Sequence, residues 1–261
     1  MSNLLLLAND DDPQIRMITL NRPVKRNALN ITLIDQISSA VDAASNDPNR
    51  RAIIFQGNGP AFCAGLDLSE ASVPDKAHRS AEALERMYRT IALSPLITIA
   101  AAHGAAMGGG AGLLAACDFV IAGDDLKLSY PEVKRGLIAA LVTCLLRRQF
   151  TDRTVRELIL LGQTIGAARA LEMGLVTKVV PASTLMQSAM QFAQEACGGA
   201  PGAIARSKRL LDQLAARPIV DDLKMALDYH LSARQSAEAQ EGIAAFLEKR
   251  APKWGPRADG I

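Results

Sequence analysis

The sequence predicts an α/β fold, and three observations predict it. Short β-branched runs alternate with helical patterns in the first half, two glycine-bearing loops each follow such a run, and helices dominate from Asp152 onward. Ile15–Leu20 has the apolar, β-branched composition of a strand, and Asn21-Arg22-Pro23 ends it. Asn30 is placed to cap a helix whose apolar face carries Leu33, Ile34, Ile37, Ala40, Val41 and Ala44 at three- and four-residue steps. Asp47 and Pro48 close that helix, and residues 52–55 form the next strand. A helix over residues 81–92 presents Leu84, Met87, Tyr88 and Ile91. Then come a strand at Ile97–Ala102, a glycine turn, a helix over 111–116 and a strand over 119–122. Beyond Asp152, residues 153–161, 167–173, 182–196 and Pro201–Leu214 read as helical, interrupted by one strand at 176–180. Residues 221–249 form a long alanine-rich pattern without an internal proline, the last part of a terminal helical block.

A chain of 261 residues buries one substantial core, or one core plus a helical appendage. With 49% hydrophobic and 21% charged residues, it has the balance of a soluble globular protein. A net charge of +2 is too small to imply a nucleic-acid partner. Cys63, Cys117, Cys144 and Cys197 lie far apart, with no CxxC or Cys/His pair at metal-ligand spacing, so no metal site is expected. Reduced thiols and a cytoplasmic location are the simplest reading. The apolar run Leu4 to Leu7 is too short for an export signal and lacks a basic leader, and no segment reaches the length of a membrane span.

Chemistry is concentrated in two loops. Met107-Gly108-Gly109-Gly110-Ala111-Gly112 sits between a strand and a helix, where missing Cβ atoms let backbone approach a ligand and unpaired N–H groups face a developing negative charge. A flexible turn is the commoner meaning of such a triplet. The second loop, Ala61-Phe62-Cys63-Ala64-Gly65-Leu66-Asp67, also follows a strand. Two strand-ending loops, each offering a backbone donor, are what an oxyanion hole requires.

These residues resemble the crotonase superfamily, the enoyl-CoA hydratase/isomerase family, over essentially the whole chain. The landmarks stand in order: Leu20-Asn21-Arg22-Pro23 with Asn27-Ala28-Leu29, Phe62 to Leu68, Ala101-Ala102-His103-Gly104 with the three glycines, Ala116-Cys117-Asp118, Pro131-Glu132-Val133 with Gly136-Leu137, and Gly174-Leu175-Val176 with Val179-Val180-Pro181. The resemblance implies a crotonase-like spiral of repeated β-β-α units over residues 1–198, with a C-terminal helical trimerisation region at 199–261. It also implies a homotrimer or homohexamer. The substrate implied is an acyl-CoA, with no cofactor beyond the CoA that the substrate carries, and no membrane or nucleic-acid partner. Residues 31–49 contain neither lysine nor arginine, which argues against the RNA binding of some relatives.

By position, the resemblance implies that the backbone amides of Leu66 and Gly109 form the oxyanion hole. Each donor in such a hole contributes about 3–4 kcal/mol. The CoA site would draw on Lys25 or Arg26, on backbone at Ala28 and Ala64, and on Phe246 and Lys249 near the C-terminus. Glu132 would be the acid/base. Many hydratases carry a second glutamate two residues after the third glycine, but here that position is Gly112. Gly112 could leave room for a branched acyl group, a water or an anion.

With one carboxylate, Δ3,Δ2-enoyl-CoA isomerisation is narrowly favoured. Hydration, including of branched methylglutaconyl-type acyl groups, is the alternative, and a non-catalytic CoA-binding scaffold is the third reading. Asp67 is expected to orient its loop. Tyr130 and Tyr88 are expected at the pocket wall or in the core, Cys63 in packing, His103 in a structural role, and Asp118 bracing the glycine helix.

Overall fold

The structure, a computed structural model, describes residues 4–7, 12–71, 74–215 and 217–253. Strand β1 (Leu5–Leu7) runs antiparallel to β2 (Ile15–Leu20). Helix α1 (Ile31–Asn46) begins at Asn30, whose side chain accepts the Leu33 amide at 3.0 Å. All six apolar residues of its expected face are buried. After β3 (Ala52–Gly57) come the short α2 (Leu68–Ala71) and α3 (Pro74–Ala92). Helix α3 starts well before its apolar face, because its first turns carry Lys76, His78 and Arg79 and so show no apolar period. The chain continues through β4 (Ile97–Ala102), β5 (Ala105–Met107), α4 (Gly109–Ala116), β6 (Phe119–Gly123) and β7 (Lys127–Ser129). Then follow α5 (Ala140–Gln149), α6 (Asp152–Leu161), β8 (Ile165–Gly166), α7 (Ala167–Glu172) and β9 (Lys178–Val180). Helices α8 (Leu185–Ala196), α9 (Pro201–Leu214), α10 (Ile219–Arg234) and α11 (Ala237–Leu247) complete it.

The main sheet has the order β1-β2-β3-β4-β6-β9 and is parallel everywhere except at β1. Both faces are covered, so β4 is buried at every position. Alternation along the strands divides the core in two. Ile53 and Phe55 of β3 join the cluster that includes α1, α3 and α4, whereas Ala52 and Ile54 pack with Leu185, Ala189 and Ala193 of α8. A second, three-stranded sheet has the order β5-β7-β8.

The alanine-rich pattern over 221–249 resolves into two helices: the Ser236 side chain accepts the Ala239 amide at 3.1 Å and so caps α11 after a break. Leu210, Leu211 and Leu214 of α9 are exposed, while α10 and α11 bury Leu223, Ala226, Ala239 and Ile243 against the body. No helix among the described residues is long and apolar enough to cross a membrane.

One side chain ties the first half together. Asn27, fully buried with φ 56°, donates through Nδ2 to the carbonyls of Asn58, Ala61 and Phe62 (3.0, 2.8 and 3.1 Å), while its Oδ1 accepts the Arg22 amide at 2.8 Å. Asn27→Ala orphans these buried groups and places alanine at a positive φ. A loss of about 2–4 kcal/mol is expected, read as a lower urea midpoint at unchanged slope.

Candidate active site

The small sheet assembles the site. Phe62 donates its amide to His103 O and Cys63 to Ala105 O, both at 3.0 Å, and Met107 N returns to Cys63 O at 2.9 Å. The loop after β3 is thereby laid along β5. Strand β5 in turn pairs in parallel with β7, Met107 opposite Ser129, and Gly108 N donates to Ser129 O at 2.8 Å. Strand β7 then delivers Tyr130, Pro131 and Glu132. Three segments far apart in sequence thus meet at one end of a sheet made of very short strands.

Leu29 forms a parallel bridge with Leu66. Its amide donates to Gly65 O at 2.8 Å and its carbonyl accepts Asp67 N at 2.9 Å. That arrangement turns the amide of Leu66 itself away from the bridge. Gly109 is the first residue of α4, so its amide has no intrahelical acceptor. Among the described residues neither amide donates to a protein acceptor. A Cβ built on Gly109 would stand 3.6 Å from Leu66 N, so the two donors lie side by side. Gly65 (φ 94°) must be glycine here, because a Cβ would come within 2.7 Å of Met107 O.

Glu132 opens a 3-10 turn (Glu132–Arg135). Its Oε1 would lie 2.8 Å from a Cβ at Gly108, the residue preceding the Gly109 amide. Its Oε2 is enclosed and has no hydrogen-bond partner. Burial pushes the carboxyl up to about 7, against the smaller opposing pull of its own backbone and of Arg135. An unpartnered buried carboxyl that titrates near neutrality is suited to moving a proton.

A cavity of about 290 Å³ runs past these groups. Of the expected residues, Lys25, Ala28, Ala64, Leu66, Asp67, Gly109, Glu132 and Phe246 line it. Asp67 is committed to its loop: it pairs with Arg22 at 2.6 Å and accepts from the Ser69 amide and hydroxyl. Arg26 does not line the cavity, although its carbonyl holds Ala64 N at 2.9 Å. Lys249, at φ 56° beyond α11, lies outside the lining too. Tyr130 is buried away from the cavity, with its hydroxyl 3.5 Å from Ala111 O.

Gly112 leaves no room for a ligand. A Cβ there would come within 2.6 Å of Tyr88 Cζ and 2.8 Å of Val142 Cγ2, and closer still to the Tyr88 hydroxyl. The space is filled by protein, which overturns the expectation of a branched acyl group, water or anion at this point. Cys63 is buried, its thiol pushed up to about 12 by burial while it donates to Asn27 O, in keeping with a packing role. His103 is held by Gly59 O at 2.9 Å. Asp118 does not brace the glycine helix; it accepts from the Thr98 amide and hydroxyl and from Lys208, joining β4 to α9.

Sequence reasoning missed a group contributed by the last helices. Arg135, His230 and Arg234 also line the cavity. The Arg135 guanidinium lies 4.5 Å above the Phe246 ring. His230 accepts from Arg234 Nε at 3.1 Å, and burial, followed by Arg234, pushes it down to about 4, so it is neutral. The four-residue spacing of His230 and Arg234 on a helix was the available signal.

Residues 11–257 match the family model described as enoyl-CoA hydratase/isomerase. A Thermus thermophilus relative named as an enoyl-CoA hydratase is 33% identical, covering 92% of this chain and 97% of its own. An enoyl-CoA isomerase/hydratase of Mycosarcoma maydis is 31% identical, covering 90% of each chain. The crystal structure of an enoyl-CoA hydratase from Mycobacterium avium superposes with a TM-score of 0.85 at 31% identity, covering 98% of this chain and 100% of that one.

The raised Glu132 pKa sets a pH dependence with a definite sign. Between about pH 4.5 and 7 the folded protein holds a proton that the unfolded chain has released. Stability from this group is therefore complete below pH 4.5 and is lost as pH rises through 7. Denaturant midpoints are expected to fall across that window, and Glu132→Gln is expected to flatten the slope.

Proposed function

The chain belongs to the enoyl-CoA hydratase/isomerase family and is an enzyme of that family, and from that premise we propose that it is a Δ3,Δ2-enoyl-CoA isomerase with Glu132 as its single acid/base. The observation that carries the reading is the pairing of one buried carboxyl, whose Oε2 has no hydrogen-bond partner, with a filled position 112. Asp67, the other carboxylate of the lining, is held by Arg22.

In this mechanism the thioester oxygen of a 3-enoyl-CoA lies between the amides of Leu66 and Gly109. The Glu132 carboxylate removes a proton from C2. The electron pair moves into a dienolate whose oxyanion the two amides stabilise, by about 3–4 kcal/mol for each donor. Glu132, now protonated, returns the proton to C4, and the double bond ends at C2–C3. No atom is gained or lost. Lys25, near the mouth, is suited to a CoA phosphate, and Phe246 offers an apolar face to the nucleotide or pantetheine arm. CoA arrives with the substrate, and the reaction asks for no other cofactor.

A second reading is hydration of a 2-enoyl-CoA, and Glu132 itself favours it. Near pH 7 a carboxyl of this pKa is partly protonated and can supply the Cα proton. Water activation at Cβ would then need the same group or an unassisted water, which costs about 10²–10⁴ in rate.

We further propose a homotrimer or homohexamer, supported by the exposed Leu210, Leu211 and Leu214 of α9 and by Met225 and Tyr229 of α10, and a cytoplasmic location, supported by four free cysteines. Light scattering on the purified protein is expected to give three or six times the 27.8 kDa chain mass; a monomer would remove this assignment.

A panel of 3-enoyl- and 2-enoyl-CoA esters incubated in heavy water and read by mass spectrometry tests the chemistry. Double-bond migration without added oxygen is expected, whereas a product heavier by one water would make it a hydratase. Glu132→Gln is expected to lower kcat by about 10²–10⁴ with acyl-CoA affinity nearly intact. The wild-type rate limb near pH 7 is expected to vanish in that variant.

A further inference from the structure

We propose that Tyr88 is a positioning residue of the oxyanion hole: its hydroxyl fixes the Gly109 peptide, and its ring occupies the space that a side chain at position 112 would need. The inference rests on the reading that the Leu66 and Gly109 amides receive the thioester oxygen.

Three successive glycines have no side chains to hold them and lose more freedom on ordering than any other residues. Gly108 is fixed by Ser129 O, and Gly110 is pressed against Cys63, where a Cβ would meet the Cys63 Cβ and Sγ at 2.7 Å. Gly109, which carries the donor, is held by Tyr88, whose hydroxyl donates to Gly109 O at 2.7 Å. In a helix the carbonyl and amide of one residue point in opposite directions along the axis. Tyr88 holds the Gly109–Gly110 peptide, and Gly112 N, donating to Gly108 O at 2.9 Å, holds the Gly108–Gly109 peptide that carries the donor N–H; with both planes fixed, that N–H points out of the helix start, toward Leu66.

Tyr88 is suited to a fixed role. It is completely buried on α3, one turn after Leu84, which lines the cavity. Burial, and next the neighbouring Glu132, raise its phenol far above the usual range, so it remains a neutral donor. The same side chain explains Gly112. Any Cβ at 112 would collide with the Tyr88 ring and with Val142, so tyrosine at 88 and glycine at 112 require each other. The geometry pins the hole and excludes a second carboxylate with one residue.

Tyr88→Phe keeps the ring and removes the hydroxyl. Acetoacetyl-CoA is the probe, because its bound enolate absorbs in the near ultraviolet and reports the hole without turnover. We expect the enolate fraction to fall about tenfold and kcat to fall about 10–100-fold, a smaller loss than deleting a hole donor, with KM within twofold and Tm near wild type. Unchanged enolate absorbance and kcat in a folded Tyr88→Phe would overturn the proposal.

The exclusion at position 112 is tested by stability and by hydration of a 2-enoyl-CoA in ¹⁸O-water. In Tyr88→Ala/Gly112→Glu the ring no longer occupies the space, so the double variant is expected to lose less stability than the sum of the two single variants. Gly112→Glu alone is expected to be destabilised and to hydrate no better than wild type. A Gly112→Glu variant as stable as wild type that forms labelled hydrate faster, or strictly additive stability losses in the double variant, would refute the exclusion. If wild type itself forms hydrate as its main product, the isomerase reading falls, while the acetoacetyl-CoA readout still decides the role of Tyr88.

Discussion

The hydrogen bonds that Cys63 makes with β5 are the constraint on which the site depends. Its amide donates to Ala105 O and its carbonyl accepts Met107 N, so a loop leaving β3 is locked in register with a strand that follows β4. Everything placed afterwards inherits that register. Leu66 lies three residues beyond Cys63, Gly109 two beyond Met107, and Ser129, opposite Met107, leads to Glu132. A register slip of one residue would reverse the faces of a three-residue strand and separate the two amides.

Once those parts are fixed, the electrostatics follow from what surrounds them. Two backbone donors without acceptors create a local preference for negative charge, and an enclosed carboxyl with one unpartnered oxygen creates a reluctance to carry it. Placed side by side, the groups let a proton and an electron pair move in opposite senses during one event. His230, being neutral, and Arg135, stacked on Phe246, close this environment from the far side.

The sequence was legible where periodicity is long. The face of α1, the Asn30 cap, β4 and the two glycine loops follow from residues spaced over many turns or from unusual composition. What it concealed has a common cause. Strands β5 and β7 have three residues each, too few to show alternation, yet they assemble the site. The break at Ser236 looked helical on both sides and carries no proline or glycine. The fate of Gly112 was invisible for another reason: its neighbour Tyr88 comes from a different helix, and a glycine reads as empty space until the residue filling it is known. The family landmarks placed Leu66, Gly109 and Glu132 together. They also offered Arg26 and Lys249, which the fold puts elsewhere than in the lining, while Tyr130 takes the core position that was one of its two readings.

Helix α11 packs on the turn that carries Glu132, with Gly242 so close to the Arg135 carbonyl that no Cβ would fit, and with Ala239 and Ile243 clustered on Leu137. The environment of Glu132 is thus finished by residues more than a hundred positions later in the chain. Loosening α11 would uncover that turn, and the carboxyl would lose part of the enclosure that raises it.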